Sequence, residues 1–347
     1  MHGLRFASLV LLALIGSVAV AAAPTKPELV AAGASVKEDD SGAIVELRFA
    51  GPTVDPAVLA TLPELRALAS VVLAGTDATD AALVPLGKIA SLKNLDLRDC
   101  RISNAGLAHL VNLEQLAALR LSGKSGATTV DDAGMAHVAK LTSLRALMLD
   151  FLWVSEAGLE TLAPLEKLED LTLAQTLVGD DALPVIARFG KLERLRLAKT
   201  TVSAAGLATL EKLPHLADLD VSECVSLDDA ALAPIGRLRS LERLNLWRVP
   251  VGDTGIAQLA PLVQLRWLNL DNTQLTDAGL TALAGMKDLA FLHIGSTAVS
   301  NAGLERLAKL PGLRELYLTR TAIDAAGAAS LRERLPEAKI IVEAGGQ

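Results

Sequence analysis

Residues 265–270 read LRWLNL, with leucine at the first, fourth and sixth positions, and near copies of this stretch occur along the chain. Two clear copies are LKNLDL at 92–97 and LEDLTL at 168–173. The second apolar anchor of the unit occurs at twelve sites, which are Leu47, Val71, Leu95, Leu119, Leu147, Leu171, Leu195, Leu219, Leu244, Leu268, Leu292 and Leu316. Nine of the eleven intervals are 24 residues, one is 25 and one is 28. A nearly fixed period of this length indicates a protein built from stacked repeats.

Within one unit the apolar pattern changes from that of a strand to that of a helix. Leu268 and Leu270 alternate with polar residues, as a strand with one buried face does. Leu280, Leu283 and Met286 then follow at helical spacing. An Ala-Gly pair recurs at the start of the helical part, where we expect small residues to let the helix approach the strand layer closely. The helix-capping position before this pair is occupied by Thr276, Ser103, Ser155, Ser203 and Ser300.

A unit of one short strand and one short helix cannot bury its apolar face alone. Twelve stacked units can share one continuous core, and we therefore predict an α/β repeat domain over residues 44–335. Residues 24–46 are predicted to form an N-terminal hairpin cap that turns at DDSG, 39–42. A last helix over 331–335 and a strand over 340–342 are predicted to close the other end, with residues 336–347 as the C-terminal cap.

The repeated unit, LxxLxLxxTxLTDAGL at 265–280, resembles a leucine-rich repeat. It is most similar to the bacterial and the cysteine-containing, ribonuclease-inhibitor-like classes. The resemblance implies a solenoid that curves as a right-handed arc, with a parallel β-sheet on the concave face and short helices on the convex face. It also implies, as in most members of the family, a role in protein binding.

One position departs from the commonest form of this repeat, in which an asparagine binds the turning backbone. Here the position holds Thr76, Cys100, Thr176, Thr200, Cys224, Thr273, Thr297 and Thr321. A threonine hydroxyl can still satisfy one backbone group, and cysteine is expected to act as a small buried hydrophobe. Leu152 and Val249 can make no such hydrogen bond, so we expect local loosening of the ladder beside them.

Residues 1–23 have the features of a signal peptide. Arg5 precedes an uncharged stretch over 6–23, and Ala19-Val20-Ala21 fits the small-residue pattern of a cleavage site. The alternative is a retained anchor, because 18 uncharged residues lie at the lower limit for crossing a bilayer. We predict cleavage and export to the periplasm or the medium, with membrane contact only through the export signal.

Composition and spacing exclude several classes of function. An apolar fraction of 51% argues against disorder, and a net charge of −7 argues against nucleic-acid binding. The run ALRLSGKS at 118–125 fits a loose phosphate-loop pattern, but Leu119 and Leu121 are buried strand anchors in the repeat. Single histidines lack the spacing of a metal site. Cys100 and Cys224 lie five repeats apart, about 24 Å at one strand spacing per repeat, which is too far for a disulfide. We expect no enzyme, cofactor or metal.

Three residues of each strand point away from the core: the one before the second anchor, the one after it and the one after the third anchor. Four of the eight aromatic residues after position 23 occupy such positions, all in the last four repeats. Trp267 is expected beside Phe291, and His293 beside Tyr317. We predict a binding site formed by Trp247, Trp267, Phe291, His293, Tyr317, Asn245, Asn269 and Asp271.

Two structural alternatives apply to this face. Aromatic ladders can simply stabilise neighbouring strands. The adjacent block of charges can pair with itself or with a partner; it comprises Arg194, Arg196, Asp218, Asp220 and Arg243.

The sequence therefore favours a monomeric, non-catalytic module that binds a protein partner in its concave face. The alternative is binding of a glycan or cell-wall polymer by the same patch. In that case Trp267, Phe291 and Tyr317 would stack on sugar rings, while polar side chains would bind hydroxyl groups; these are Asn245, Asn269 and Asp271.

The mature chain is predicted to begin between Ala22 and Pro24, because signal peptidase cleaves after small residues such as those at 19–21. Mass spectrometry of the protein purified from its producing cells checks this expectation. Recovery of peptides from residues 6–21 in the mature polypeptide would show that the segment is retained as an anchor.

Overall fold

Fourteen short strands follow one another across a single sheet in the order of the chain. A computed structural model describes residues 22–342, so residues 1–21 of the predicted signal peptide lie outside the described residues. The strands are β1 (Ala34–Glu38), β2 (Ile44–Phe49), β3 (Ser70–Val72), β4 (Asn94–Asp96), β5 (Ala118–Ser122), β6 (Ala146–Asp150), β7 (Asp170–Thr172), β8 (Arg194–Arg196), β9 (Asp218–Asp220), β10 (Arg243–Asn245), β11 (Trp267–Asn269), β12 (Phe291–His293), β13 (Glu315–Tyr317) and β14 (Lys339–Ile341).

Strand pairing follows the repeat period. β1 and β2 form an antiparallel hairpin, and every later strand pairs in parallel with the one before it. The register aligns equivalent anchors, so that Leu268 lies opposite Leu244 on one side and Leu292 on the other. This confirms the predicted α/β leucine-rich repeat solenoid.

Helical turns connect the strands on the other side of the core. The α-helices are α1 (Lys26–Ala31), α2 (Pro56–Thr61), α3 (Asp80–Leu86), α4 (Asn104–Leu107), α5 (Asp132–Val138), α6 (Glu156–Thr161), α7 (Leu183–Ile186), α8 (Ala204–Leu207), α9 (Leu232–Ile235), α10 (Asp253–Ile256), α11 (Leu304–Leu307) and α12 (Ala325–Arg334). Further 3-10 turns lie at Leu62–Glu64, Ala108–Leu110, Asp180–Ala182, Ala208–Lys212, Asp229–Ala231, Ala257–Leu259, Gly279–Gly285 and Asn301–Gly303. The helical stripe at 280–286 is thus mostly a 3-10 helix.

The two ends carry elements that cover the core. At the N-terminus, α1 precedes the β1–β2 hairpin, and Thr25 with Glu28 forms a capping box at its start. That helix is not part of the sequence prediction, although the Thr-x-x-Glu spacing marks it. At the other end, α12 leads into β14, which pairs with β13.

One apolar core runs through all the repeats. Each of the twelve anchors is at most 2% exposed, and a single cluster of buried side chains extends from Leu29 to Ile340. Leucine dominates this cluster because identical positions stack on identical positions, so one side-chain shape fills the same space in every repeat.

An aspartate near the start of one helical turn binds the cap of the next. The Asp180 carboxylate accepts hydrogen bonds from the backbone N–H and the hydroxyl of Ser203, at 2.6 and 2.5 Å. The Ser203 hydroxyl in turn accepts from the Ala205 N–H at 3.3 Å, which confirms it as a helix cap. The same arrangement joins Asp80 to Ser103, Asp132 to Ser155, Asp253 to Thr276 and Asp277 to Ser300.

The glycine of the recurring Ala-Gly pair faces this aspartate. A Cβ on Gly206 would overlap Asp180 Oδ1, and equivalent overlaps would occur at Gly106, Gly158, Gly255, Gly279 and Gly303. Close approach therefore does require a small residue. The close neighbour, however, is the aspartate of the preceding repeat, and not the strand layer expected from the sequence.

The residue that stands in place of asparagine in the turn also forms hydrogen bonds between repeats. Thr200 donates to the carbonyl of Leu197 at 2.6 Å, and Cys224 donates its thiol to the same carbonyl at 3.0 Å. Cysteine is therefore more than a hydrophobe here, although burial raises the pKa of the Cys224 thiol, as expected for an unreactive group. The ladder also continues past Leu152 and Val249. Their preceding residues donate to the next repeat at 2.7 and 3.0 Å, so the expected loosening is absent at both positions.

Replacing Gly206 by alanine is predicted to lower the free energy of unfolding by about 1–3 kcal/mol, because the added Cβ would force Asp180 away from Ser203. Urea unfolding measures the loss. Gly190→Ala is the matched control: nothing lies within 4 Å of its Cβ position, and the change should stay within about 0.5 kcal/mol. Equal effects of the two substitutions would contradict the assigned role of the aspartate.

Candidate binding surface on the concave face

The predicted aromatic residues form one cluster, which we call the aromatic patch: Trp267, Phe291, Tyr317 and His293. The parallel register sets Trp267 opposite Phe291 and His293 opposite Tyr317. The rings of Trp267 and Phe291 are stacked, with centroids 4.7 Å apart and planes within 8°. Tyr317 lies 5.3 Å from Phe291 and 4.9 Å from His293, tilted against both rings. All four side chains are half-buried.

The ring faces in this patch are largely occupied by one another. The Arg243 guanidinium lies 4.4 Å from the centroid of the Trp267 ring, in a cation–π arrangement, while Phe291 stacks on the same indole. Phe291 in turn lies between Trp267 and Tyr317. Side chains stacked from strand to strand in this way direct ring edges, more than ring faces, toward the space above the sheet.

The arginines of the charged block beside the patch all pair with aspartates of this chain, inside the block or next to it. Arg194 binds Asp170 at 3.0 Å, and Arg243 binds Asp218 at 3.1 Å. Arg196 of β8 binds an aspartate on each side of its strand: Asp150 of β6 at 2.7 Å and Asp220 of β9 at 3.2 Å. Partly exposed ion pairs of this kind each contribute little to stability, but they hold the arginine side chains beside their aspartates.

Two asparagines extend the predicted site along the middle of the strands. The Asn269 side-chain oxygen accepts from the Asp271 N–H at 2.9 Å, and that of Asn245 accepts from the Trp247 N–H at 3.2 Å. These bonds orient both amide groups. Within residues 22–342 the two side-chain NH₂ groups make no hydrogen bond, so each is a free donor on the concave face.

Asp271 forms a closely placed pair with His293 of the aromatic patch. Their Oδ1 and Nδ1 atoms lie 3.7 Å apart, and neither buried atom has a hydrogen-bond partner among the described residues. Burial lowers the pKa of His293; the Asp271 carboxylate opposes that shift, and Arg320 adds to it. Asp271 is only 8% exposed, so this carboxylate, predicted from the sequence as a site residue, is largely buried.

Trp247 stands apart from the other aromatic residues. It is half-buried, and its ring lies 5.4 Å from the guanidinium of its neighbour Arg248. It does not stack on any ring of the aromatic patch in the described part of the chain. Trp247 therefore lies outside the aromatic patch, two residues past the end of β10.

Another aromatic pair, Phe151 and Trp153, is missing from the sequence prediction. Trp153 is 71% exposed and lies past the end of β6, with Phe151 two residues before it. Both line a depression next to the four-residue insertion of the longest repeat, together with Gly123. The aromatic residues after position 23 could have pointed to this pair. Four of the eight lie on the concave face, and Phe49 and Phe189 are core residues, which leaves Phe151 and Trp153 without a place in either.

Over the range 22–342 the structure holds no group of three His, Cys, Asp or Glu residues placed to bind a metal ion. Nor does any helix in that range have the length and apolarity needed to cross a membrane.

Comparison with known proteins agrees with the repeat geometry. Residues 67–335 match the family described as a leucine-rich repeat region, while no curated protein matches the sequence. An internalin (inlF) from Listeria monocytogenes superposes with a TM-score of 0.60 at 21% identity, over 93% of this chain and 90% of its own. The plant peptide hormone receptor RGFR1, solved in complex with RGF2, gives a TM-score of 0.45 at 12% identity, over 89% of this chain and 59% of the receptor. The family match spans most of the chain, which therefore belongs to the leucine-rich repeat proteins.

Proposed function

We propose that this protein is a non-catalytic interaction module that binds a protein partner on its concave face, through the aromatic patch of the last four repeats. The observation that carries the proposal is the gathering of Trp267, Phe291, Tyr317 and His293 on a sheet surface that faces solvent. Leucine-rich repeat proteins typically bind other proteins, and binding hot spots are enriched in tryptophan and tyrosine.

The surroundings of the patch supply the polar part of such an interface. Asn245 and Asn269 offer side-chain NH₂ groups to carbonyl oxygens of a partner. The side-chain oxygen of each asparagine already accepts a backbone hydrogen bond, which fixes the orientation of its NH₂ group. Arg243 is fixed by Asp218 on one side and by Trp267 on the other, so little side-chain entropy is lost when a partner binds it. A rigid aromatic centre with an oriented polar rim matches the usual anatomy of protein interfaces.

We favour a protein over a glycan because of the way the rings stack. Sugar binding by aromatic side chains needs open ring faces, whereas Arg243 and Phe291 cover both faces of Trp267. Ring edges suit the mixed apolar and carbonyl surface of a protein, since the edge of an aromatic ring carries partial positive charge.

We further propose that the protein is exported after removal of residues 1–23 and works as a monomer in the periplasm or the medium. The signal-like composition of residues 1–23 and the terminal elements that cover the core support this part of the proposal.

Replacing both Trp267 and Tyr317 by alanine should abolish capture of the partner, because truncating one central aromatic hot spot typically costs about 2–4 kcal/mol of binding. The measurement is affinity capture from an envelope extract with the wild-type and variant proteins as bait, set against binding to purified cell-wall polysaccharides. Retention of a polysaccharide by the wild type alone would favour the glycan alternative.

The matched control is Arg48→Ala with Ser70→Ala, which changes equivalent positions of the concave face in the first repeats. This control should leave capture intact. Thermal unfolding followed by circular dichroism shows whether the aromatic variant remains folded, because loss of stacking in the patch should cost only about 1–2 kcal/mol. Full capture by the folded double variant would place the binding site elsewhere, and global unfolding would make the patch structural.

A further inference from the structure

A row of exposed apolar side chains crosses the lateral flank of the solenoid, away from the concave face. Trp153, Leu177 and Val225 are 71%, 56% and 77% exposed, and Pro250 is exposed as well. Each stands six residues after the second anchor of its repeat, as does Thr201 between them. We call these five consecutive positions, 153, 177, 201, 225 and 250, the flank stripe.

Hydrogen bonds join the first three positions of the stripe: Leu177 donates its N–H to the carbonyl of Val154 at 3.0 Å, and Thr201 donates to that of Val178 at 3.3 Å. The later repeats are joined just before the stripe, where Lys199 donates to the carbonyl of Ser222 and Glu223 to that of Trp247, both at 2.8 Å. Neighbouring positions are therefore separated by about one strand spacing, roughly 4.8 Å, and the stripe is about 19 Å long. Surface depressions of 250 and 490 Å³ lie at its two ends, beside Trp153 and beside Val225 and Pro250.

Exposure of this kind has no folding explanation. A tryptophan at 71% exposure buries little apolar area, and three of the six large exposed hydrophobic residues among those described lie on the flank stripe. Scattered apolar residues on a surface are ordinary, but four exposed apolar residues among five neighbouring positions indicate an interaction site.

The spacing of the stripe selects the shape of the ligand. Successive residues on one face of an α-helix, three or four apart, advance about 5.2 Å along its axis, whereas alternate residues of an extended strand advance about 6.6 Å. Over four steps of the stripe a helix falls out of register by only about 2 Å, but a strand by about 7 Å. An amphipathic helix of about 13 residues, laid across the repeats, matches the full length.

Charge at the centre of the stripe defines the polar face of this helix. Lys199, exposed two residues before Thr201, makes no ion pair with any residue of the described range, whereas the nearby Arg248 is paired with Glu223 at 3.5 Å. An acidic residue near the middle of the helix would meet Lys199. A second copy of this chain fits poorly, because a two-fold antiparallel pairing of stripes would bring the two copies of Lys199 together.

We propose that the flank stripe is a second interaction surface, which binds an amphipathic helix of a partner protein with apolar residues three or four apart and an acidic residue at its centre. This surface is independent of the concave aromatic patch, since the two share no residue. A protein could thus be held at both faces, or two partners could be held at once.

The test uses the full-length mature protein and two synthetic, fluorescein-labelled helical peptides of sixteen residues that differ only in a central Glu or Lys. Fluorescence anisotropy should show saturable binding of the Glu peptide. Leu177→Asp should weaken that binding at least about tenfold. Lys199→Glu should reverse the preference, so that the Lys peptide binds better than the Glu peptide.

Val263→Asp is the matched control, because Val263 is 52% exposed but lies outside the stripe; it should leave both affinities unchanged. Circular dichroism verifies that each variant is folded. The proposal is overturned if the wild type binds neither peptide, or if Leu177→Asp and Lys199→Glu bind like the wild type. It is equally overturned if sedimentation shows a wild-type dimer that Leu177→Asp dissociates, since the stripe would then be occupied by a second copy.

Discussion

In-register stacking of parallel strands is the constraint on which the rest of this molecule depends. Because each repeat places the same position directly beside its counterpart, one choice of residue is repeated as a row from repeat to repeat. The leucine anchors form a continuous core, and each capping serine donates hydrogen bonds to an aspartate of the preceding repeat. A shift of register by one residue would turn every anchor toward solvent and separate every aspartate from its cap.

The same stacking explains why polar side chains on this protein rarely act alone. The carboxylate of Asp180 satisfies a neighbour's cap, the thiol of Cys224 satisfies a neighbour's carbonyl, and Arg196 joins aspartates on both sides of its strand. Most of these interactions link one repeat to the next. Stability is therefore distributed over the interfaces between repeats, as expected for a quasi-one-dimensional protein. Exposed aromatic and apolar residues stand out against this background, because neither the core nor these polar links require them.

Two groups of residues stand out in this way. The aromatic patch continues a row of side chains across the concave sheet, in which Asp218 binds Arg243 and Arg243 packs on Trp267. The core does not require the aromatic rings in which this row ends. The flank stripe exposes Trp153 and its apolar neighbours on another side of the solenoid. Both groups are rows at one strand spacing, so each suits a partner that extends across several repeats.

The sequence by itself determined the repeat, its strand and helix phases, the buried anchors and the positions that face the concave side. A strict 24-residue period makes these local patterns sufficient, because each repeat needs only its neighbours to fold. It also predicted the adjacency of Trp267 with Phe291 and of His293 with Tyr317, since register follows from the period. Only the tertiary structure showed that Arg243 and Phe291 cover the faces of Trp267, that Asp271 is buried next to His293, and that the glycines make room for aspartates. Those facts depend on side-chain directions and on contacts between residues 20 or more positions apart, and the pattern of apolar residues carries no information about either.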